Sequence, residues 1–195
     1  AHDVAASDEL VRLAEVAGLT LMVGHVFLFN GAVREAARII DGGDLGKIFH
    51  ISMVRTNLGP IRMDVDASWD LAAHDISVAN FLLKSQPLTA SAVGGDWINK
   101  GIADAVFTTL RYPNNVLVNL HVSWLNPRKV RDITIVGEQM MLTIDDMNLN
   151  EPIRIYDKGI KDDVSTPGWA DTFGSFRSSV REGNVTIPRV ALGEP

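Results

Sequence analysis

Val116-Leu-Val-Asn-Leu-His-Val-Ser-Trp124 decides the fold. Val116, Val118, Leu120, Val122 and Trp124 alternate with Leu117, Asn119, His121 and Ser123. A period of two puts one set of side chains in a core and the other toward water, as in a half-buried antiparallel strand. Working outward, nearly everything after Pro87 reads as strand. Residues 89–93 and 105–111 are two further runs, and Tyr112-Pro-Asn-Asn115 reads as a turn. Residues 130–136 and 140–144 flank Gly137-Glu138, a hairpin signal, and 153–156 form another short strand. Upstream, Phe49, Ile51, Met53, Arg55 and Asn57 share one strand face. The sum is an α+β domain: an open, mostly antiparallel sheet with helices on one face. From Gly159 to Pro195 the composition turns to Gly, Ser, Pro and charge, which predicts irregular structure with at most one helix near 173–180.

The first forty residues use a different pattern. Ser7-Asp8-Glu9 reads as a helix cap with acidic residues in the first turn. Leu10, Leu13, Ala14 and Ala17 then form an apolar stripe that Gly18 stops. Thr20-Leu-Met-Val23 is wholly apolar apart from its threonine and reads as a buried parallel strand. Asn30 is placed to cap a second helix, with Val33, Ala36, Ala37 and Ile40 on its buried face and Gly42-Gly43 at its end. Helix, strand, loop, helix is the order of an α/β fold. One strand makes no sheet, so these elements either join the later sheet or belong to another domain.

The bulk composition bounds the function. The chain has 195 residues, 46% of them hydrophobic and 22% charged, ordinary for a globular domain with a sizeable core. A net charge of −6 offers no basic surface to nucleic acid. No apolar run approaches the ~18–20 residues of a membrane span, and Ala1-His2-Asp3-Val4 has none of the basic start of a signal peptide. A cytoplasmic location is the default expectation. Cysteine is absent, so disulfide and thiolate chemistry are excluded.

Chemistry is carried by Ser68-Trp-Asp-Leu-Ala-Ala-His-Asp-Ile-Ser77. Asp70 and His74 stand four residues apart at the start of an apolar, helix-like run, hence on one helix face. Ala72, Ile76, Ala79 and Leu83 supply the buried stripe, and Asp70, His74 and Ser77 lie off it. A carboxylate beside an imidazole can orient the ring and raise its pKa, the minimum needed to move a proton on a substrate hydroxyl. A helix-capping aspartate next to a core histidine fits the same spacing. Other motifs are missing. No Gly-x-Gly-x-x-Gly follows a strand. Gly42-Gly-Asp-Leu-Gly-Lys47 has the wrong glycine spacing for a phosphate loop and follows a helix; Ile48 stands where such a loop has Ser or Thr. His25, His50, His74 and His121 are scattered without metal-ligand spacing, so no metal is expected. There is no Gly-x-Ser-x-Gly.

With these residues in view, the chain resembles the glucose–fructose oxidoreductase / inositol dehydrogenase / rhizopine catabolism family (Gfo/Idh/MocA). Leu19-Thr-Leu-Met-Val-Gly-His-Val-Phe-Leu-Phe-Asn30 is similar to that family's last Rossmann strand and its crossing into the second domain. Asp41-Gly-Gly-Asp-Leu-Gly-Lys-Ile48 resembles its turn from helix to strand, and Asp70-x-x-x-His74 its active-site signature. Arg55-Thr-Asn57-Leu-Gly59-Pro-Ile-Arg62, Trp69 to Ser77 and Lys129-Val-Arg-Asp-Ile-Thr134 are most similar to members acting on nucleotide-activated sugars, of the UDP-N-acetylglucosamine 3-dehydrogenase type.

The resemblance implies an oxidoreductase that passes hydride between NAD or NADP and a sugar carbon. His74 would move the hydroxyl proton, and Asp70 would orient it or bind the substrate. Arg55, Asn57 and Arg62 become candidates for substrate contact, with surface ion pairing as the plainer role. His25 and Asn30 lie on the crossing loop where a substrate cleft would sit, Asn30 being equally suited to capping a helix. Trp69 would wall the nicotinamide pocket or pack on the helix start. The resemblance divides the chain into a Rossmann remnant, 1–30, and a substrate and oligomerisation domain, 31–195, truncated at its end. It implies a homodimer or homotetramer through the open sheet. The glycine-rich loop and the family's catalytic lysine are not among these residues, so the chain alone is expected to be inactive. The rival expectation is a non-catalytic, sheet-mediated oligomerisation or sugar-binding module.

Overall fold

The computed structural model describes residues 3–160 and 180–190. Ten strands and three helices are found there: α1 (Val4–Ala17), α2 (Gly31–Asp41), β1 (Ile48–Leu58), α3 (Ala73–Leu83), β2 (Thr89–Gly95), β3 (Ala105–Arg111), β4 (Leu117–Ser123), β5 (Leu125–Gly137), β6 (Met141–Asp145), β7 (Ile153–Tyr156), β8 (Gly159–Ile160), β9 (Val180–Arg181) and β10 (Val185–Thr186). Eight strands form one sheet in the order β10-β7-β6-β5-β1-β4-β3-β2, and β8 pairs with β9. The helix expected near 173–180 lies outside the described residues.

The alternating pattern does what its period requires. Val118, Leu120 and Val122 of β4, Ile51 and Met53 of β1, Ile133 and Ile135 of β5, and Leu142 and Ile144 of β6 all point into one core. Helices α2 and α3 cover that face with Ala32, Val33, Ala36 and Ile39, and with Val78, Ala79 and Leu82. Asn30 caps α2 as expected, its side-chain oxygen accepting from the backbone N–H of Ala32 (2.9 Å) and Val33 (3.3 Å). On the far face, Phe107 stacks on His121 with centroids 4.3 Å apart, beside an open groove of about 340 Å³.

One pairing departs from the expectation. Strand β4 runs antiparallel to β3 but parallel to β1, with Ile51 opposite Val118 and Met53 opposite Leu120. The alternation of a single strand fixes its faces, not its neighbours' direction, so the parallel contact left no mark in the sequence. Strand β1 is central, held by β4 on one edge and antiparallel β5 on the other.

The amino-terminal segment also differs. Helix α1 begins at Val4, because Asp3 rather than Ser7 caps it, accepting from Ala6 N–H at 2.7 Å. Gly18 ends it in the left-handed conformation, φ 63°. None of its residues is buried, so the Leu10–Leu13 stripe faces outward. Thr20 to Val23 forms no strand; Met22 is 82% exposed. A parallel strand exists only by pairing, and among the described residues nothing pairs with this run.

The β5–β6 hairpin closes over the loop after α2. Gly137 N–H donates to Met140 and the backbone oxygen of Leu45 accepts from Gln139 N–H. A Cβ at Gly137 would run into the Leu45 backbone oxygen and lie 2.9 Å from its Cβ. Both obstacles are main chain or its immediate branch and cannot swing away. Gly137→Ala is therefore expected to destabilise the domain by about 2–3 kcal/mol, read as a lower urea midpoint with unchanged slope.

Candidate active site

The site is assembled where the 3₁₀ turn Val26–Phe29, the start of α3 and the ends of the central strands meet. A wide π turn, Ser68–Ala72, precedes α3 and carries Asp70. Asp66 anchors it by accepting from Trp69 N–H at 2.9 Å and from the Ser68 hydroxyl at 2.7 Å. Asp70 is held from two sides: Oδ1 accepts from Arg62 Nη1 and Oδ2 from the Trp124 indole, both at 3.1 Å. Trp124, the last residue of the stretch that specified β4, is 1% exposed. The strand that defines the sheet thus also fixes the carboxylate.

His74 sits in the first turn of α3, half-buried. Phe27 meets its ring edge-on, centroids 5.3 Å apart at 65°. Among the described residues the imidazole makes no hydrogen bond, so Asp70 acts on it through charge across the turn. Burial pushes the His74 pKa below the ordinary histidine value and the Arg55 cation pushes it the same way; Asp75 and Asp70 pull against them and His25 adds to the lowering. The ring is neutral at pH 7, with lone pair available to accept a proton. Beside it, His25, Leu28, Ala73, Ile76 and Ser77 line part of an open groove of about 560 Å³.

A depressed folded-state value means that the unfolded chain binds the His74 proton first on acidification. Folding stability contributed by this group is therefore present above the ordinary histidine range and is lost as pH falls through it. Relative to a His74→Asn variant, the unmodified protein is expected to gain stability between about pH 5.5 and about pH 7.5. Urea unfolding at both values checks the sign.

Beneath the site lies a charged cluster. Arg55 (7% exposed) donates from Nε (2.8 Å) and Nη2 (2.7 Å) to the same oxygen, Oδ1, of Asp75 (2% exposed). Oδ2 of Asp75 is buried and has no partner among the described residues. Burial pushes the Asp75 carboxyl upward, opposed by Arg55. The Arg55 guanidinium lies over the Phe27 ring, 4.1 Å from its centroid, and Arg131 approaches to 5.4 Å. Asp146 ties Asn30 (2.8 Å) to Arg131 (3.1 Å).

The structure therefore places His25 on the groove that Ala73 and Ser77 also line, with His74 between them in sequence and Asp70 four residues before His74. Arg62 joins them, shared between Asp70 and Asp64. Trp69, 51% exposed, flanks Asp70. Asn57 is half-buried near the end of β1, folded against Gly59. Arg55 is turned inward to Asp75, and the polar atoms of Asn30 serve the helix cap and Asp146. Sequence reasoning missed Phe27, Asp75, Arg131 and Asp146. Asp75 did carry a signal, being a charge three residues after Ala72 and seven before Leu82, on the apolar stripe itself. A charge there is kept only when something neutralises it. Among the described residues no group of three or more His, Asp or Glu side chains is arranged to hold a metal, and no helix is long and apolar enough to cross a membrane.

Comparison with known proteins gives a consistent assignment. The chain is 24% identical over 170 residues to UDP-N-acetylglucosamine 3-dehydrogenase from Acidithiobacillus ferrooxidans, covering 87% of this chain and 52% of that protein. It is 26% identical over 124 residues to 2,7-anhydro-N-acetylneuraminate hydratase from Mediterraneibacter gnavus, covering 55% and 33%. The chain thus spans from a third to about half the length of these relatives. Among solved structures, the Acidithiobacillus dehydrogenase GnnA superposes with a TM-score of 0.70 at 21% identity, covering 96% of this chain and 53% of that one. The WlbA dehydrogenase from Bordetella pertussis, in complex with NADH and UDP-GlcNAcA, gives 0.68 at 18% identity, covering 78% and 50%. Both share the fold. Residues 33–143, more than half of the chain, match the GFO/IDH/MocA C-terminal domain, and the chain belongs to that family.

Proposed function

We propose that the protein carrying this chain is an NAD- or NADP-dependent oxidoreductase acting at a hydroxyl carbon of a sugar or nucleotide sugar. One observation carries the reading: half-buried His74 stands four residues after Asp70, which Arg62 and Trp124 hold in place, and its neighbours Ala73 and Ser77 line a groove with His25. His74 takes the hydroxyl proton on oxidation and returns it on reduction. Asp70 steadies the imidazolium that forms, at no reorganisation cost because its two donors already hold it. His25, Asn57 and Arg62 are the groups available to a polar substrate. Arg62 keeps its charge under all conditions, suited to a phosphate or carboxylate. The relative named for UDP-N-acetylglucosamine and the UDP-GlcNAcA complex of WlbA support that substrate class.

The nicotinamide fits the residues present in part. Trp69 offers it an exposed aromatic face next to Asp70, whereas a phosphate-cradling glycine loop is missing from this sequence. When bound, the nicotinamide accepts or supplies the hydride. Residues 1–30 are proposed to close a nucleotide-binding domain, a reading supported by the outward apolar residues Leu10, Leu13, Leu21 and Met22. Residues 31–195 form the substrate domain. The solvent face of the sheet, with Phe107 54% and Val93 76% exposed, supports assembly into a homodimer or homotetramer.

The test uses protein from the complete gene. NADH or NADPH should bind, read by fluorescence, and a panel of sugars and UDP-sugars should change the reduced-nicotinamide absorbance. Failure of both cofactors to bind would overturn the reading in favour of a non-catalytic module.

A further inference from the structure

Arg55 and Asp75 form the one buried ion pair with both side chains under a tenth exposed among the described residues. Their geometry is poor for stability. Both guanidinium N–H groups converge on Oδ1, leaving Oδ2 buried without a donor, where a fork-to-fork pair would satisfy both oxygens. Burying two charges costs several kcal/mol per ion, and well-packed hydrocarbon in their place is often no less stable. The pair is therefore poorly accounted for by fold stability. It does touch His74 by two routes. Asp75 is its chain neighbour, and Phe27 lies between Arg55 and the imidazole, 4.1 Å from the guanidinium carbon and edge-on to the ring. Because the imidazole has no hydrogen bond among the described residues, Phe27 packing is what locates it.

We propose that Arg55 and Asp75 are positioning residues for His74, the pair clamping Phe27 against the imidazole and setting its charge. The inference rests on the reading of His74 as the proton carrier. Four charged or titratable groups bear on the ring: Arg55 from β1, His25 from the turn before α2, and Asp70 and Asp75 from its own segment; Arg131 of β5 reaches Phe27 and acts on Asp75. Arg55 is the strongest of the charges on His74 and outweighs Asp75. Removing each partner therefore has opposite consequences. Without the cation the ring protonates more easily; without the carboxylate the unopposed cation makes protonation harder.

The experiment is a ring ¹⁵N–¹H NMR titration of His74 in the complete protein, without substrate or cofactor, for Arg55→Gln, Arg55→Lys and Asp75→Asn. Arg55→Gln should raise the His74 midpoint by about half a pH unit or more, Asp75→Asn should lower it by a similar amount, and Arg55→Lys should restore it. Loosened packing alone would move both variants upward, toward the solvent value. Shifts of the same sign, or no shift, overturn the proposal. Should Arg55→Gln fail to fold, Asp75→Asn decides alone, since the carboxamide keeps an acceptor for Arg55: a lowered midpoint supports the proposal, a raised or unchanged one overturns it. The acid limb of kcat/KM should move with the NMR midpoint. Since the titration needs no turnover, it stands or falls separately from the enzymatic reading.

Discussion

His74→Asn in the complete enzyme is expected to lower kcat by on the order of 10²–10⁴-fold, the range lost when a positioned acid–base group is removed. The fold should survive. His74 is half-buried and makes no hydrogen bond among the described residues, so its replacement orphans no partner, and asparagine fills much of its volume. Cofactor affinity should be unchanged, since the ring packs on Phe27 rather than on Trp69. The informative measurement is kcat with saturating cofactor beside a thermal melt: a large fall in kcat with Tm held within a few degrees isolates proton transfer. Activity at the level of the unmodified enzyme would remove His74 from the mechanism.

The second large effect falls on stability. Trp124→Ala empties a 1%-exposed site in the centre of the core and is expected to cost about 3–5 kcal/mol. Trp124→Phe separates packing from bonding. It retains an aromatic ring and loses the indole N–H that Oδ2 of Asp70 accepts at 3.1 Å. Asp70 keeps its side chain 27% exposed, so water can take the vacated place and the cost should be about 1 kcal/mol. Activity should suffer more than stability suggests, because a freed Asp70 can turn away from His74. Unfolding curves and kcat/KM on both variants make the comparison; full activity in Trp124→Phe beside a loss in Trp124→Ala would assign Trp124 a packing role alone.

What the sequence disclosed follows from which interactions are local. Strands β3 and β7 begin and end where the pattern placed them, and Val118, Leu120 and Val122 of β4 are buried as read, whereas Ser123, read as water-facing, is buried too. Asn30 was legible as a cap because its bonds reach only two and three residues away. The parallel β1–β4 contact was not, since it joins residues nearly seventy positions apart. The run from Thr20 to Val23 shows that an apolar string states a need for burial, not that a given chain supplies it. At the site, Asp70 and His74 were visible through their spacing, whereas the grip of Trp124 on Asp70 and of Arg55 on Asp75 depends on the sheet meeting the π turn and α3 in space. Arg55 read as a candidate for the substrate because its sequence neighbours do not reveal a carboxylate twenty residues away.

Strand β1 occupies the middle of the sheet yet precedes every strand it binds. During synthesis at ~5–20 residues per second, about 80 residues separate the end of β1 from the end of β5, a delay on the order of 4–16 s. Until β4 is made both edges of this strand are open, and one stays open until β5 follows, a template for mispairing with other nascent chains. Yield in cells should therefore respond to translation speed and chaperone supply more than the finished domain's stability would indicate.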